Sequence, residues 1–267
     1  MRKYLQGASM NWQVRVTYRA NIWLETCGNL ITMIVTIAVW LFAFQQTGNL
    51  SFGGYSQTEM IAYLVLAGLI TSTMWHTAQG DFVMNTIRNG NLSRYLIRPY
   101  SFTGDYLMSQ MMSNCFRFLI TGTIFTAILL FSSLPIFSAF KWTLVPYFFL
   151  LLIPGVLIQY LVFYNAALMA FWMEEGWGMT FLIRVLAEVA AGSFIPLTLF
   201  APSWQTIFNL LPFKYIIAVP VSMLLGRIPV SDLPSIFMGS IAWLVGLSIL
   251  TGCVWKAGVR HYSAVGN

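Results

Sequence analysis

Side chains that could do chemistry are few and scattered. His76 and His261 each stand alone, without the neighbouring carboxylates of an HExxH helix or a general-base pair. Cys27, Cys115 and Cys253 are widely separated, lack CxxC spacing, and read as packing residues rather than zinc ligands. Glu174 and Glu175 are adjacent, so their carboxylates diverge and make no acid/base pair. No GxxxxGK[ST] phosphate loop and no GxSxG nucleophile turn occurs. The chain therefore reads as a non-enzyme with no metal or cofactor of its own, and any ATP must be handled by another chain.

A few ions lie inside apolar sequence. Arg184 and Glu188 are four positions apart, so they share a helical face and can pair. Arg117 lies near Asn114. An unpaired charge at mid-membrane costs several kcal/mol, so Arg117, Arg184 and Glu188 should face a bundle interior, a cavity or the interface. Snorkelling of their long side chains to the interface is the alternative.

The elements that hold these residues follow from composition. The chain is 58% hydrophobic and 8% charged, whereas a soluble domain carries about 25% charged residues. The apolar residues fall into runs, and roughly 20 of them span a hydrocarbon layer as a helix. Six runs meet that ruler: 22–44, 59–78, 106–134, 142–172, 179–200 and 236–255. They are too long for barrel strands, and helices satisfy their own backbone amides in lipid. The expected fold is an all-α integral membrane protein, one domain over 1–267 with six transmembrane helices.

Basic residues set the orientation. Arg2, Lys3, Arg15 and Arg19 precede the first run, Arg88, Arg94 and Arg98 follow the second, and Lys256 and Arg260 follow the sixth. The opposite side has Lys141, Lys214 and Arg227. Both termini and the loop 79–105 are therefore expected in the cytoplasm. The net charge of +6 is spread between apolar runs, which argues against nucleic-acid binding.

Three stretches outside the runs are informative. Residues 1–21 place Tyr4, Leu5, Ala8, Trp12 and Val16 on one helical arc, as in a helix lying in the membrane interface; a plain cytoplasmic flanking helix is the alternative. The loop 79–105 holds Val83, Ile87, Leu92, Leu96 and Ile97 among three arginines. That is a docking knob for a partner protein, or else an interfacial helix anchored by Tyr95 and Tyr100. The stretch 201–234, punctuated by prolines, predicts re-entrant or surface-lying short helices on the outer side, with Trp204 and Phe208 in a lid. A seventh crossing there would carry Lys256 and Arg260 to the wrong side.

This order of parts resembles the type-two permeases of ATP-binding-cassette (ABC) exporters. The text IRNGNLSRYLIRPYS over 87–101 is similar to the G-x-L…L-x-R-P segment of one bacterial subfamily. The text GSFIPLTLFAPSWQTIFNLLPFKYIIAVPVSMLLG over 192–226 is similar to that subfamily's outer PL-x-x-F-P…LPF…P region, with Ala201 interposed before Pro202. The resemblance implies an exporter of the bacterial cytoplasmic membrane, built from two permease halves, identical or related, and two ATPase subunits that bind ATP and Mg. It implies that the loop 79–105 is the coupling helix, with Ile87, Arg88, Gly90, Leu92, Leu96, Arg98 and Pro99 meeting the ATPase. It also implies a substrate route between the halves, lined by the second and fifth spans. Trp40, Trp75 and Trp172 would suit an amphipathic or cationic drug-like cargo, and equally suit interfacial anchors. The competing class is an ATP-independent secondary transporter or channel, which usually shows midplane ion pairs, broken helices and repeated halves. A scaffold subunit without transport of its own is a third.

Overall fold

A computed structural model describes residues 19–47, 51–75, 80–97, 101–131, 136–173 and 177–262. Its elements in chain order are α1 (Arg19–Thr47), a hairpin of β1 (Ser51–Phe52) and β2 (Tyr55–Ser56), α2 (Gln57–Met74), α3 (Asp81–Arg88), α4 (Ser93–Leu96), α5 (Phe102–Phe131), α6 (Val145–Leu168), α7 (Trp177–Ala190), α8 (Pro202–Leu210), α9 (Ala218–Leu224) and α10 (Leu233–His261). Short 3-10 turns extend α6 at both ends and link α7, α8, α9 and α10. The protein is an all-α membrane protein. The expected N-terminal interfacial helix falls, through residue 18, outside the described residues.

Three of these helices are long and apolar enough to cross a membrane among the described residues: Trp23–Gln46, Trp142–Phe171 and Val230–His261. The pair Pro202–Leu210 and Pro212–Leu224, bent by 77°, adds a fourth if it is taken as one broken span. The surface of α1 inverts the rule for water-soluble proteins, with Leu24, Ile31, Ile34, Val35, Val39 and Phe42 all exposed. Buried α2 forms the centre. It carries Met60, Tyr63, Ile70 and Trp75 at near-zero exposure, with α1, α5 and α9 packed around it.

Local chemistry sets the ends. At the start of α2 the Ser56 Oγ accepts from the Glu59 N–H, and the Glu59 carboxylate accepts the Ser56 N–H at 2.9 Å. This reciprocal capping box satisfies two amides that the helix itself leaves free. The preceding hairpin, unforeseen in the sequence, turns on Gly53 and Gly54, whose φ of 55° and 80° only glycine adopts readily. Arg227 closes over it from the far end of the chain, 2.8 Å from the Glu59 carboxylate and 3.6 Å above the Tyr55 ring.

Three expectations are corrected. The run 179–200 is helical only to Ala190, because Gly192 takes a φ of 80° and the chain then becomes extended at Pro196. Of the two alternatives for 213–225, the surface-lying one does not hold: Ile216, Ile217, Val221 and Met223 have no exposure and wedge into the bundle, as a re-entrant segment does. The cysteines are not packing residues, since Cys27, Cys115 and Cys253 are all exposed on apolar helices.

Candidate functional site

The connection of α3 and α4 is built on glycines and aromatic rings. Gly80 begins it with a φ of 67°, and a Cβ there would stand 2.7 Å from the Ala167 Cβ, so only a bare backbone can lie this close to α6. Val83, Met84 and Ile87 follow at helical spacing and form the buried stripe of α3. Gly90, at φ 71°, turns the chain, and the Leu92 N–H returns to the Thr86 carbonyl at 3.0 Å. Leu92 thereby drops beneath α3 with no exposure. Desolvation holds the Asp81 carboxyl, at the start of α3, above the usual carboxylate range.

Beneath α3 and α4 lies a cluster of rings from α5, α6 and α10. Tyr95 meets Phe102 edge-on at 4.8 Å, Phe102 stacks on Trp255 at 5.9 Å, and Tyr106, Tyr160 and Tyr164 stack at 5.5 to 5.8 Å. Their hydroxyls are used: Tyr160 donates to the Thr103 carbonyl at 2.8 Å, and Tyr164 and Thr103 share a hydrogen bond at 2.8 Å. Ser93 and Tyr262 tie α4 to the end of α10 at 3.1 Å. Such pairs add about 0.5–1.5 kcal/mol each beyond area burial, so the connection is held to the helix ends as one unit.

The connection thus has two sides. Arg88, Asn89, Arg94, Leu96 and Ile97 point outward, Leu96 at 45% exposure and Ile97 at 86%. Gly90 shapes the turn between them. Ile87 and Leu92, which the resemblance implies meet the ATPase, here pack against the chain's own bundle. Arg98 and Pro99 lie outside the described residues.

The ions in the spans are paired. Arg184 Nε donates to Glu188 Oε1 at 2.9 Å within α7. Arg117, 6% exposed in its side chain, donates through Nη1 to Glu25 Oε2 at 2.6 Å, joining α5 to α1. Asn114 instead lines a groove between α5 and α6. Glu25 is the residue that sequence reasoning missed. It had a signal: Glu25, Asn29, Thr32 and Thr36 recur at helical spacing inside the first apolar run. The last three line a crevice of about 50 Å³ against Thr71, Ser72 and Ser193. Trp75, offered above as a cargo contact, is buried against Phe163 at 5.6 Å and cannot meet cargo in this conformation.

Comparison with known proteins places this geometry. Neither the curated proteins nor the solved structures contain a significant match. The family model described as "ABC-2 family transporter protein" matches residues 30–266, which takes in α2 through α10 and most of α1. The chain belongs to the ABC-2 transporter family and is a multi-pass membrane permease.

Proposed function

We propose that this chain is the membrane half of an ATP-driven exporter and that the outward side of α3 and α4 docks a separate ATPase. One observation carries the reading: an exposed row of Arg88, Arg94, Leu96 and Ile97 stands on a mount anchored to its own bundle through Val83, Ile87 and Leu92. The adjacent pair Leu96 and Ile97, both exposed beside arginines, suits a protein groove better than water. A rigid mount passes a push from below to α5, α6 and α10 together, as a rigid-body shift needs. ATP and Mg then belong to the ATPase, present in two copies per transporter.

The reading includes six crossings, both termini in the cytoplasm, and placement in a bacterial inner membrane. A second permease half, the same chain or a related one, covers the exposed apolar faces of α1 and α7. The substrate route then runs beside the hydroxyl-lined crevice of Asn29, Thr32, Thr36 and Ser193, where polar groups at membrane depth have a use.

Co-purification tests the docking. The chain should bring down a stoichiometric P-loop ATPase, and Leu96→Asp with Ile97→Asp should release it while leaving insertion and unfolding temperature unchanged. Retention of the ATPase at full strength by that double variant, or transport in vesicles without ATP, would overturn the reading.

A further inference from the structure

A second cavity, of about 450 Å³, lies between α4, the start of α5, α6 and α10, beside the docking row and apart from the crevice near α1. Its walls differ in chemistry. Tyr95, Phe102 and Trp255 supply rings, while Ser101 and Ser248 supply hydroxyls. Two exposed cations lie next to its lining residues in sequence: Arg94 precedes Tyr95 on α4, and Lys256 stands one turn beyond Gly252 on α10. Asp105, a turn along α5, is not among the lining residues.

The cavity also has a tail. On α10 the exposed positions Ile241, Val245, Ser248 and Gly252 fall on one stripe, so the cavity opens onto an apolar track running into the span. A free anion would use the basic flank and ignore that track. An acyl chain would use the track and ignore the flank.

We infer that this cavity is a binding site for one anionic phospholipid, its phosphate between Arg94 and Lys256 and its chain along Val245 and Ile241. The membrane position supports this occupant, because aromatic rings and basic side chains gather where headgroups meet hydrocarbon. The bound lipid bridges α4 and α10, so it stiffens the joint between the docking row and the last helix. The inference does not depend on an ATPase and is tested on the permease alone.

The experiment uses the full-length chain, delipidated in detergent and titrated with phosphatidylglycerol, phosphatidylcholine or inorganic phosphate, with retained lipid counted by native mass spectrometry. One copy of phosphatidylglycerol should survive where phosphatidylcholine does not, and excess phosphate should not displace it. Gly252→Leu fills the cavity without a clash, since a Cβ at Gly252 meets nothing within 4 Å. That variant should lose the retained copy and keep its unfolding temperature, whereas Gly252→Ala should keep both. Arg94→Gln with Lys256→Gln should weaken phosphatidylglycerol about 30-fold and flatten its salt dependence, from the attraction of two basic groups to an anionic lipid. Equal retention of the two lipids, displacement by phosphate, or unchanged binding in Gly252→Leu would each overturn the site.

Discussion

The two ends of the molecule hold their short helices in opposite ways. At one end α3 and α4 rest on rings and branched side chains, with Gly80 giving a close backbone approach to α6. At the opposite end glycines make room both for backbone and for tyrosine hydroxyls. A Cβ on Gly155 of α6 would lie 2.6 Å from the Tyr215 carbonyl, and one on Gly192 would lie 2.6 Å from the Tyr63 hydroxyl, which itself donates to Gly192 at 2.8 Å. Gly239 of α10 likewise leaves its space to Tyr215. Side-chain packing tolerates an isosteric exchange, whereas a main chain seated against a glycine leaves no room for an added side chain. The end that carries α3 and α4 should therefore accept isosteric changes, and the opposite end should reject added side chains.

The sharpest test of the end that carries α3 and α4 is Leu92→Asp. It should cost about 4–5 kcal/mol, combining a lost buried leucine with a desolvated carboxyl. Leu92→Met should cost under about 1.5 kcal/mol, because a side-chain mount tolerates isosteric change. Denaturant unfolding in detergent reads both. Similar losses for the two would show that backbone, not packing, sets the mount.

Gly155→Leu probes the opposite end. It should cost about 3 kcal/mol through forced backbone displacement. Gly246→Leu, on α10 with nothing within 4 Å of its Cβ, should be tolerated, changing stability by less than about 1 kcal/mol. A tolerated Gly155→Leu would break the comparison at once.

A smaller effect belongs to the link between α1 and α5. A double-mutant cycle on Glu25 and Arg117 should give a coupling of about 1–3 kcal/mol, since the Arg117 side chain is 6% exposed. The same cycle on Arg184 and Glu188 should give about 0.5 kcal/mol, as for an ordinary pair within one helix. Reversal of that order would place the structural ion pair on α7 instead.

Much of this architecture was legible from residue order. Length and apolarity give α1, α6 and α10 nearly to their ends, because a lipid-spanning helix leaves a long uninterrupted signature. The loop holding Arg88 and Leu96 stands out because apolar and basic residues mix there without spanning length. What stayed hidden depends on contacts distant in sequence. The Arg117–Glu25 pair joins residues 92 positions apart. The inward turn of Leu92 depends on the φ of Gly90, which composition alone does not fix, and the end of α7 depends in the same way on Gly192. The hairpin was missed because its strands are two residues each, too short for alternation to register.

The exposed thiols have a use of their own. Cys27, Cys115 and Cys253 sit on α1, α5 and α10, so the unmodified chain already carries one alkylation handle on each of three helices. A lipid-phase maleimide reads them as sectors of the perimeter. In the proposed assembly, a second half seated on α1 would shield Cys27 and leave Cys253 reactive, and the pattern of protected thiols would map the seam without a single engineered residue.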